Sequence, residues 1–248
     1  MLDWPKISQD PNDQRSFRIW KDQYDKTITK MELFAKRRKD EKILSLIGAG
    51  SASSKVLDIG FAEHTLEYVD NPNWFHRKLR QFYAGAVYGV DINSELVAKI
   101  VAQTGWNNLL AADATDGSHL LDGGDFDVIH AGDIIEHLSN PGGFLTFCRN
   151  NLKAGGRVIL TTPNPLAWRT LRRWAGFGCT VANLEHTCWI TPTNMNELCR
   201  RFGFEFAESH YQVKSRKRSL LYWIFFPLVF RLRDFLFNDY IYIIRKLG

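Results

Sequence analysis

From Lys55 onward the chain alternates short apolar, β-branched runs with stretches of helical periodicity, and this alternation narrows the fold more than any other feature. It predicts strands at Lys55–Ile59, Val87–Val90, Asn108–Ala111, Phe126–His130 and Arg157–Thr161, with helical segments between most of them. Alternation of this kind builds a parallel sheet with helices on both faces. Asn140-Pro141 reads as the N-cap and first residue of one helix. Its inner face carries Phe144, Phe147 and Cys148, and Gly155-Gly156 is expected to end it before the fifth strand. Thr191-Pro192 starts another helix, turning Met195, Leu198, Cys199 and Phe202 inward, and Gly203 closes it. Phe204–Gln212 and Asp239–Arg245 are two further strands, with an aromatic insertion from Ser219 to Phe237 between them.

The first fifty residues read differently. Phe17, Trp20, Tyr24, Ile28, Met31 and Phe34 recur at three- and four-residue steps, the stripe of one or two amphipathic helices. We expect a helical cap over 1–50 and one large α/β domain over 51–248, which the length of 248 residues accommodates. At 45% hydrophobic and 24% charged, the chain lies in the globular range and not the disordered one.

The net charge of +5 is mild and uneven, with clusters at Lys36–Lys42 and Lys214–Arg218. Such clusters meet nucleic acid, acidic lipid or an anionic substrate. The first, which contains Asp40 and Glu41, reads as a solvated helix face. Four cysteines, Cys148, Cys179, Cys188 and Cys199, show no CxxC pairing and follow no signal peptide. That argues against a zinc ribbon or a secreted disulfide scaffold and for a cytoplasmic setting. The apolar run Leu220–Phe230 falls short of the about 20 residues a membrane span needs. Basic residues flank it, so 215–238 has two open readings: a peripheral membrane anchor, or a lid or dimer surface.

The chemistry gathers at strand ends. Val56-Leu57-Asp58-Ile59-Gly60 is a buried strand ending in an acid and a glycine, and Gly60 lets the backbone turn sharply beside a ligand. The second strand ends Val90-Asp91-Ile92-Asn93, where an acid can accept from both hydroxyls of a ribose. The third ends Ala112-Asp113-Ala114, where a carboxylate can receive the amino group of adenine and the Ala114 amide a ring nitrogen. Any one of these acids could be a helix N-cap. Three in succession form a far more specific arrangement.

In that order, Asp58-Ile59-Gly60, Gly89-Val90-Asp91, Asp113-Ala114, Phe126-Asp127-Val128-Ile129 and Gly155-Gly156 resemble the sequential motifs of class I S-adenosylmethionine-dependent methyltransferases. Ile135-Glu136-His137-Leu138, Thr162-Pro163-Asn164 and Glu185-His186 further resemble the subgroup of ubiquinone-biosynthesis O-methyltransferases and sugar-modifying methyltransferases. The resemblance spans Val56 to Phe204 and, more loosely, the final strand. It implies a Rossmann-like seven-stranded, mostly parallel sheet whose last strand is antiparallel. It also implies S-adenosyl-L-methionine as cofactor, held by Asp58, Gly60, Ala62, Asp91, Ile92, Asp113, Ala114 and Gly132. Ala62 and His64 stand where the family usually has glycines. The lone Gly60 also argues against NAD, whose pyrophosphate calls for G-x-G-x-x-G.

His130-Ala131-Gly132-Asp133 follows the fourth strand in place of the Asn/Asp-Pro-Pro-aromatic tetrapeptide of base-methylating enzymes, and no single-strand stacking platform is evident. A small-molecule, sugar or lipid-linked acceptor is therefore the leading reading, methylated at oxygen. His186 is expected to be the base, with Glu136 and His137 shaping the floor of the site. Arg169, Arg172 and Arg173, beside Trp168 and Trp174, suit an anionic acceptor. Asp133, Glu136 and His137, spaced i, i+3, i+4, would share one side of a helix and could ligate Mg²⁺. Glu-His pairs of this kind more often support structure, and the site is expected to work without a metal. The alternatives are a non-catalytic S-adenosylmethionine-binding scaffold and, on positive charge alone, an RNA methyltransferase.

Overall fold

A computed structural model describes residues 39–63, 65–120, 126–177, 183, 185–213 and 237–248. The expected stripe of 17–34, His64 and the 219–236 part of the insertion lie outside the described residues. By compactness the chain divides into Met1–Glu41 and Lys42–Gly248, and the second unit holds the sheet.

That sheet has seven strands: β1 (Lys55–Ile59), β2 (Ala86–Asp91), β3 (Leu109–Ala111), β4 (Phe126–Gly132), β5 (Leu152–Pro163), β6 (Phe204–Val213) and β7 (Phe237–Lys246). Their order is β3-β2-β1-β4-β5-β7-β6. β1 through β5 pair in parallel, and β7 runs antiparallel between β5 and β6, the arrangement expected from the sequence.

Each central strand is apolar on both faces because both faces are covered. Leu57, Ile129, Val158, Leu160 and Tyr242 pack with Phe144, Phe147 and Cys148 of α4 (Pro141–Asn151) and Met195 and Cys199 of α6 (Pro192–Phe202). Their neighbours Val56, Val128, Ile159 and Ile243 point the other way. They meet Phe75 and Leu79 of α2 (Phe75–Phe82) and Ile43 and Ile47 of α1 (residues 39–47). Alternate residues of one strand therefore feed two cores, and each full burial of a Leu, Ile or Phe contributes about 1.5–3 kcal/mol.

The helix starts follow the capping chemistry read from the sequence. Asn140 Oδ1 accepts from the Gly143 amide at 2.9 Å, with Pro141 in the first turn. Thr191 and Asn194 form a reciprocal capping box, and Gly203 ends α6 at φ 76°. The expected helix stop at Gly155-Gly156 is corrected. α4 ends at Asn151, and both glycines lie inside β5. Leu152 already pairs with Phe126, and the register then jumps to Val128 opposite Arg157. Gly155, at φ 72°, supplies the left-handed residue that this bulge requires.

Candidate active site

The strand order reverses between β1 and β4, so the loops after β1, β2 and β3 diverge from those after β4 and β5. The crevice beyond these carboxyl ends is where open α/β sheets bind ligands.

On one side, Gly60 ends β1 at φ 73°, and its N–H donates to Val90 O at 2.8 Å. A Cβ at Gly60 would run into the Ile134 side chain. The turn then passes through buried Phe61 and Ala62 to Glu63, which is itself left-handed at φ 53°. Trp74 Nε1 donates to Phe61 O at 2.7 Å and pins the turn from outside. The Ala62 amide donates to Asp91 Oδ2 at 3.3 Å, while Asp91 Oδ1 accepts from the Asn93 amide at 3.0 Å. Asn93 in turn caps α3 (Ser94–Thr104). Asp91 thus ties the first loop to the second, and next to it Ile92 is 72% exposed. An apolar side chain left this open beside a carboxylate offers a flat, greasy face with an acceptor at its edge. At the end of β3, Asp113 Oδ1 takes both the amide and hydroxyl of Thr115, at 2.8 and 2.7 Å, leaving Oδ2 engaged by neither. Ala114 is half-buried against the core.

Asp58 is only 3% exposed, and its two oxygens go to histidines: Oδ1 to His130 Nδ1 at 2.7 Å, Oδ2 to His76 Nδ1 at 2.9 Å. Burial pushes this carboxyl up, but the bonds from His130 and His76 outweigh it and hold its pKa below the usual aspartate value. Sequence reasoning did not identify His76 and His130 as its partners. The signal was a histidine among buried apolar neighbours Val128, Ile129 and Ala131, His130 of Phe126–Gly132, which calls for a buried polar partner. The ring of His130 lies beneath Gly132, where a Cβ would approach its Cε1 to 3.1 Å.

The other side is built by β4 and a distant segment. After β4, Asp133 is left-handed at φ 55°; its N–H donates to Thr161 O and Oγ1, and Thr161 Oγ1 donates to Asp133 Oδ1 at 2.8 Å. Ile135–His137 then forms a single 3-10 turn. Asp133 lies outside that turn, so the i, i+3, i+4 alignment that a helix would have given Asp133, Glu136 and His137 does not form. Glu136, His137 and His186 come together instead, with ligating atoms all within 4.8 Å of one another. The His137 and His186 rings meet edge to face, centroids 4.7 Å apart.

The segment 185–190 is held there by backbone bonds. Thr187 N–H donates to Glu136 O at 2.8 Å, Cys188 N–H to the same oxygen at 3.3 Å, and the Thr187 hydroxyl to Leu138 O at 2.7 Å. Burial first, and then the charge of His137, lower the pKa of His186, so at neutral pH its imidazole is neutral. Beyond β5, α5 (Trp168–Phe177) presents Trp168, 61% exposed, and an exposed Arg172. Among the described residues no helix is long and apolar enough to cross a membrane.

A seven-stranded sheet of this order, with acids at three successive strand ends and a glycine turn after β1, defines the class I methyltransferase architecture. A model of the methyltransferase domain matches residues 31–209, and the chain belongs to that family, whose cofactor is S-adenosyl-L-methionine. It is 29% identical over 72 residues to the ubiquinone biosynthesis O-methyltransferase of a Bradyrhizobium strain; the match covers 29% of this chain and 26% of that relative. Among solved structures it resembles a SAM-dependent methyltransferase from Archaeoglobus fulgidus, with TM-score 0.56 and 18% identity over 85% of this chain and 94% of that one. It also resembles phosphoethanolamine N-methyltransferase 2 of Haemonchus contortus, solved with S-adenosyl-L-methionine, with TM-score 0.53 and 16% identity over 85% and 53% of the two chains.

Proposed function

We propose that this enzyme methylates a hydroxyl of a small-molecule or glycan-type acceptor, bound against the cluster of Glu136, His137 and His186. One observation carries the reading: side chains from two segments about fifty residues apart converge on one point beyond β4, locked there by the bonds of Thr187 and Cys188.

Asp91 would hold the ribose hydroxyls of S-adenosyl-L-methionine, Ile92 would lie against the adenine, and Asp113 with the Ala114 amide would meet the adenine edge. Gly60, Ala62 and Gly132 would border the methionine end, with Asp58 holding β1 to β4 from behind. These residues fit the group: Asp113 Oδ2 is left open by Thr115, and Ile92 is an uncovered apolar face. When bound, the sulfonium supplies an electrophilic methyl group.

What remains for the protein is placement of the acceptor oxygen about 3–3.5 Å from its target and removal of its proton. Neutral His186 is suited to receive that proton, with His137 and Glu136 fixing the floor beside it. The relative named for ubiquinone O-methylation supports oxygen as the accepting atom. Exposed Arg172 beside Trp168 suits an acceptor bearing phosphate or carboxylate. Peripheral membrane contact through the basic, aromatic segment 215–238 belongs to this reading as well, and sedimentation with anionic liposomes tests it.

Incubation with S-adenosyl-L-methionine and a panel of phenols, sugars and phosphosugars, following release of S-adenosylhomocysteine, tests the activity. Release with a hydroxyl acceptor is expected. Release only with amines or RNA would move the acceptor class.

A further inference from the structure

We propose that Glu136, His137 and His186 form a binding site for one divalent first-row transition ion, which presents its remaining positions to an acceptor oxygen. The acceptor part rests on the O-methylation reading above, with the ion, in place of a free His186, lowering the proton affinity of the acceptor oxygen; the ion site rests on the cluster itself.

The donor chemistry comes first. Two imidazoles and one carboxylate form the ligand set of open catalytic zinc sites and of non-haem iron sites, whereas Mg²⁺ and Ca²⁺ are held by oxygens. The three ligating atoms lie within 4.8 Å of one another. Bonds of about 2.1 Å at tetrahedral angles place ligands about 3.4 Å apart, so modest side-chain rotations close the set without moving the backbone. The two rings stand at 87° to each other, which lets their nitrogens converge where stacked rings could not.

The surroundings agree. Glu136 is wholly buried, whereas His137 and His186 are half-buried, so an ion gripped by all three is anchored from behind and open toward the crevice. His186 Nδ1 is enclosed and makes no hydrogen bond among the described residues. Asp133 and Glu185 both pull electrostatically on His186, and Glu185 Oε2 stands 3.8 Å from His137 Nδ1. Three carboxylates around two imidazoles favour a dication. The neighbouring Cys188 is turned away, its Sγ donating to Ile135 O at 3.7 Å. Asp133, which the spacing would offer as a third ligand on a helix, is bonded instead to Thr161.

The test uses the full-length protein, stripped with a chelator and titrated with Co²⁺ while the visible d–d bands are followed, then with Zn²⁺ in competition. One equivalent of Co²⁺ is expected, displaced by Zn²⁺, with at least a tenfold loss of affinity in His137→Ala and in His186→Ala. Glu136→Gln, at a buried position, is read only where its unfolding temperature matches the parent; His186→Gln serves as the second, milder variant. Absent Co²⁺ binding, or binding unchanged in both histidine variants, overturns the site. Calorimetry with S-adenosylhomocysteine on the same stripped sample separates the two readings. A protein that binds S-adenosylhomocysteine but no ion overturns the ion site alone. Ion binding without S-adenosylhomocysteine binding supports the ion site and overturns the reading of the crevice.

Discussion

Asp58 and His130 are register partners on the adjacent parallel strands β1 and β4, and their side chains meet at 2.7 Å. The pair sits at the point where strand order reverses, directly beneath the crevice. His76 completes it from α2, donating to the second carboxylate oxygen at 2.9 Å. The His76 ring packs against Phe61 at 5.0 Å and Trp74 at 5.5 Å, while His130 lies 4.3 Å from Phe75. A single buried acid therefore fixes β1, β4 and the helix after the first loop relative to one another. The loop that must approach the cofactor inherits its position from this clamp.

Replacing Asp58 with Asn removes the charge from two hydrogen bonds and leaves one imidazole facing an amide. Hydrogen bonds to a charged group contribute about 1.5–3 kcal/mol each, so a loss of about 3 kcal/mol in unfolding free energy is expected. The pH dependence follows from the direction of the shift. The folded pKa of Asp58 is depressed, so its contribution is complete above the unfolded value of about 3.9 and vanishes as pH falls through the lower folded one. Urea unfolding at pH 7 should show the full gap between parent and Asp58→Asn, and the gap should narrow progressively below pH 4. A gap that is equal at pH 7 and pH 3 would count against the charged clamp.

Asp91 is the residue whose removal should separate cofactor affinity from fold. Its carboxylate is half-exposed and joins the Ala62 and Asn93 amides, both at loop backbone. Asp91→Ala should weaken S-adenosylhomocysteine by about 10–100-fold, the equivalent of about one charge-assisted bond. Calorimetry reads this directly. An unchanged Kd would remove Asp91 from the cofactor site.

Much of this was legible beforehand, for physical reasons. Burial on both faces writes strands as continuous apolar runs, and Asn140, Thr191 and Gly203 announce helix ends because orphan backbone groups need partners. The Gly155-Gly156 error shows the limit: a left-handed glycine serves a helix stop or a β-bulge equally, and only the pairing partner of Leu152 decides. The clamp around Asp58 escaped because its members are 18 and 72 residues away, and sequence spacing carries no information at that range. Glu136 and His186 were each visible, but their meeting depends on bonds from Thr187 and Cys188 to main-chain carbonyls of the 135–138 turn, a pairing that sequence spacing does not encode.

Gly60→Ala tests the first loop. The alanine backbone would have to hold φ near 73°, and its methyl group would strike Ile134. Left-handed backbone costs a non-glycine residue about 1–2 kcal/mol, and Ile134 must move as well. A lowered unfolding temperature together with weakened S-adenosylhomocysteine binding is expected. Loss of stability with unaltered affinity would show that the loop backbone does not approach the cofactor.

His186→Ala should divide turnover from cofactor binding. His186 lies across from His137, on a segment anchored to the 135–138 turn that follows β4, whereas Asp91 and Asp113 stand at the ends of β2 and β3. Removing a half-buried ring costs little fold stability, since its neighbours Thr187 and Cys188 keep their own bonds to Glu136. Whether it takes the acceptor proton or helps hold an ion, its loss should lower kcat by about 10²–10⁴-fold, with S-adenosylhomocysteine affinity within a factor of two or so of the parent. Thr187→Val is the companion variant: it keeps the imidazole but deletes the hydroxyl bond to Leu138 O. It should show a smaller drop in kcat with the same unchanged affinity, because the group is present but less firmly placed. If His186→Ala turns over at the parent rate, the acceptor does not sit at this cluster.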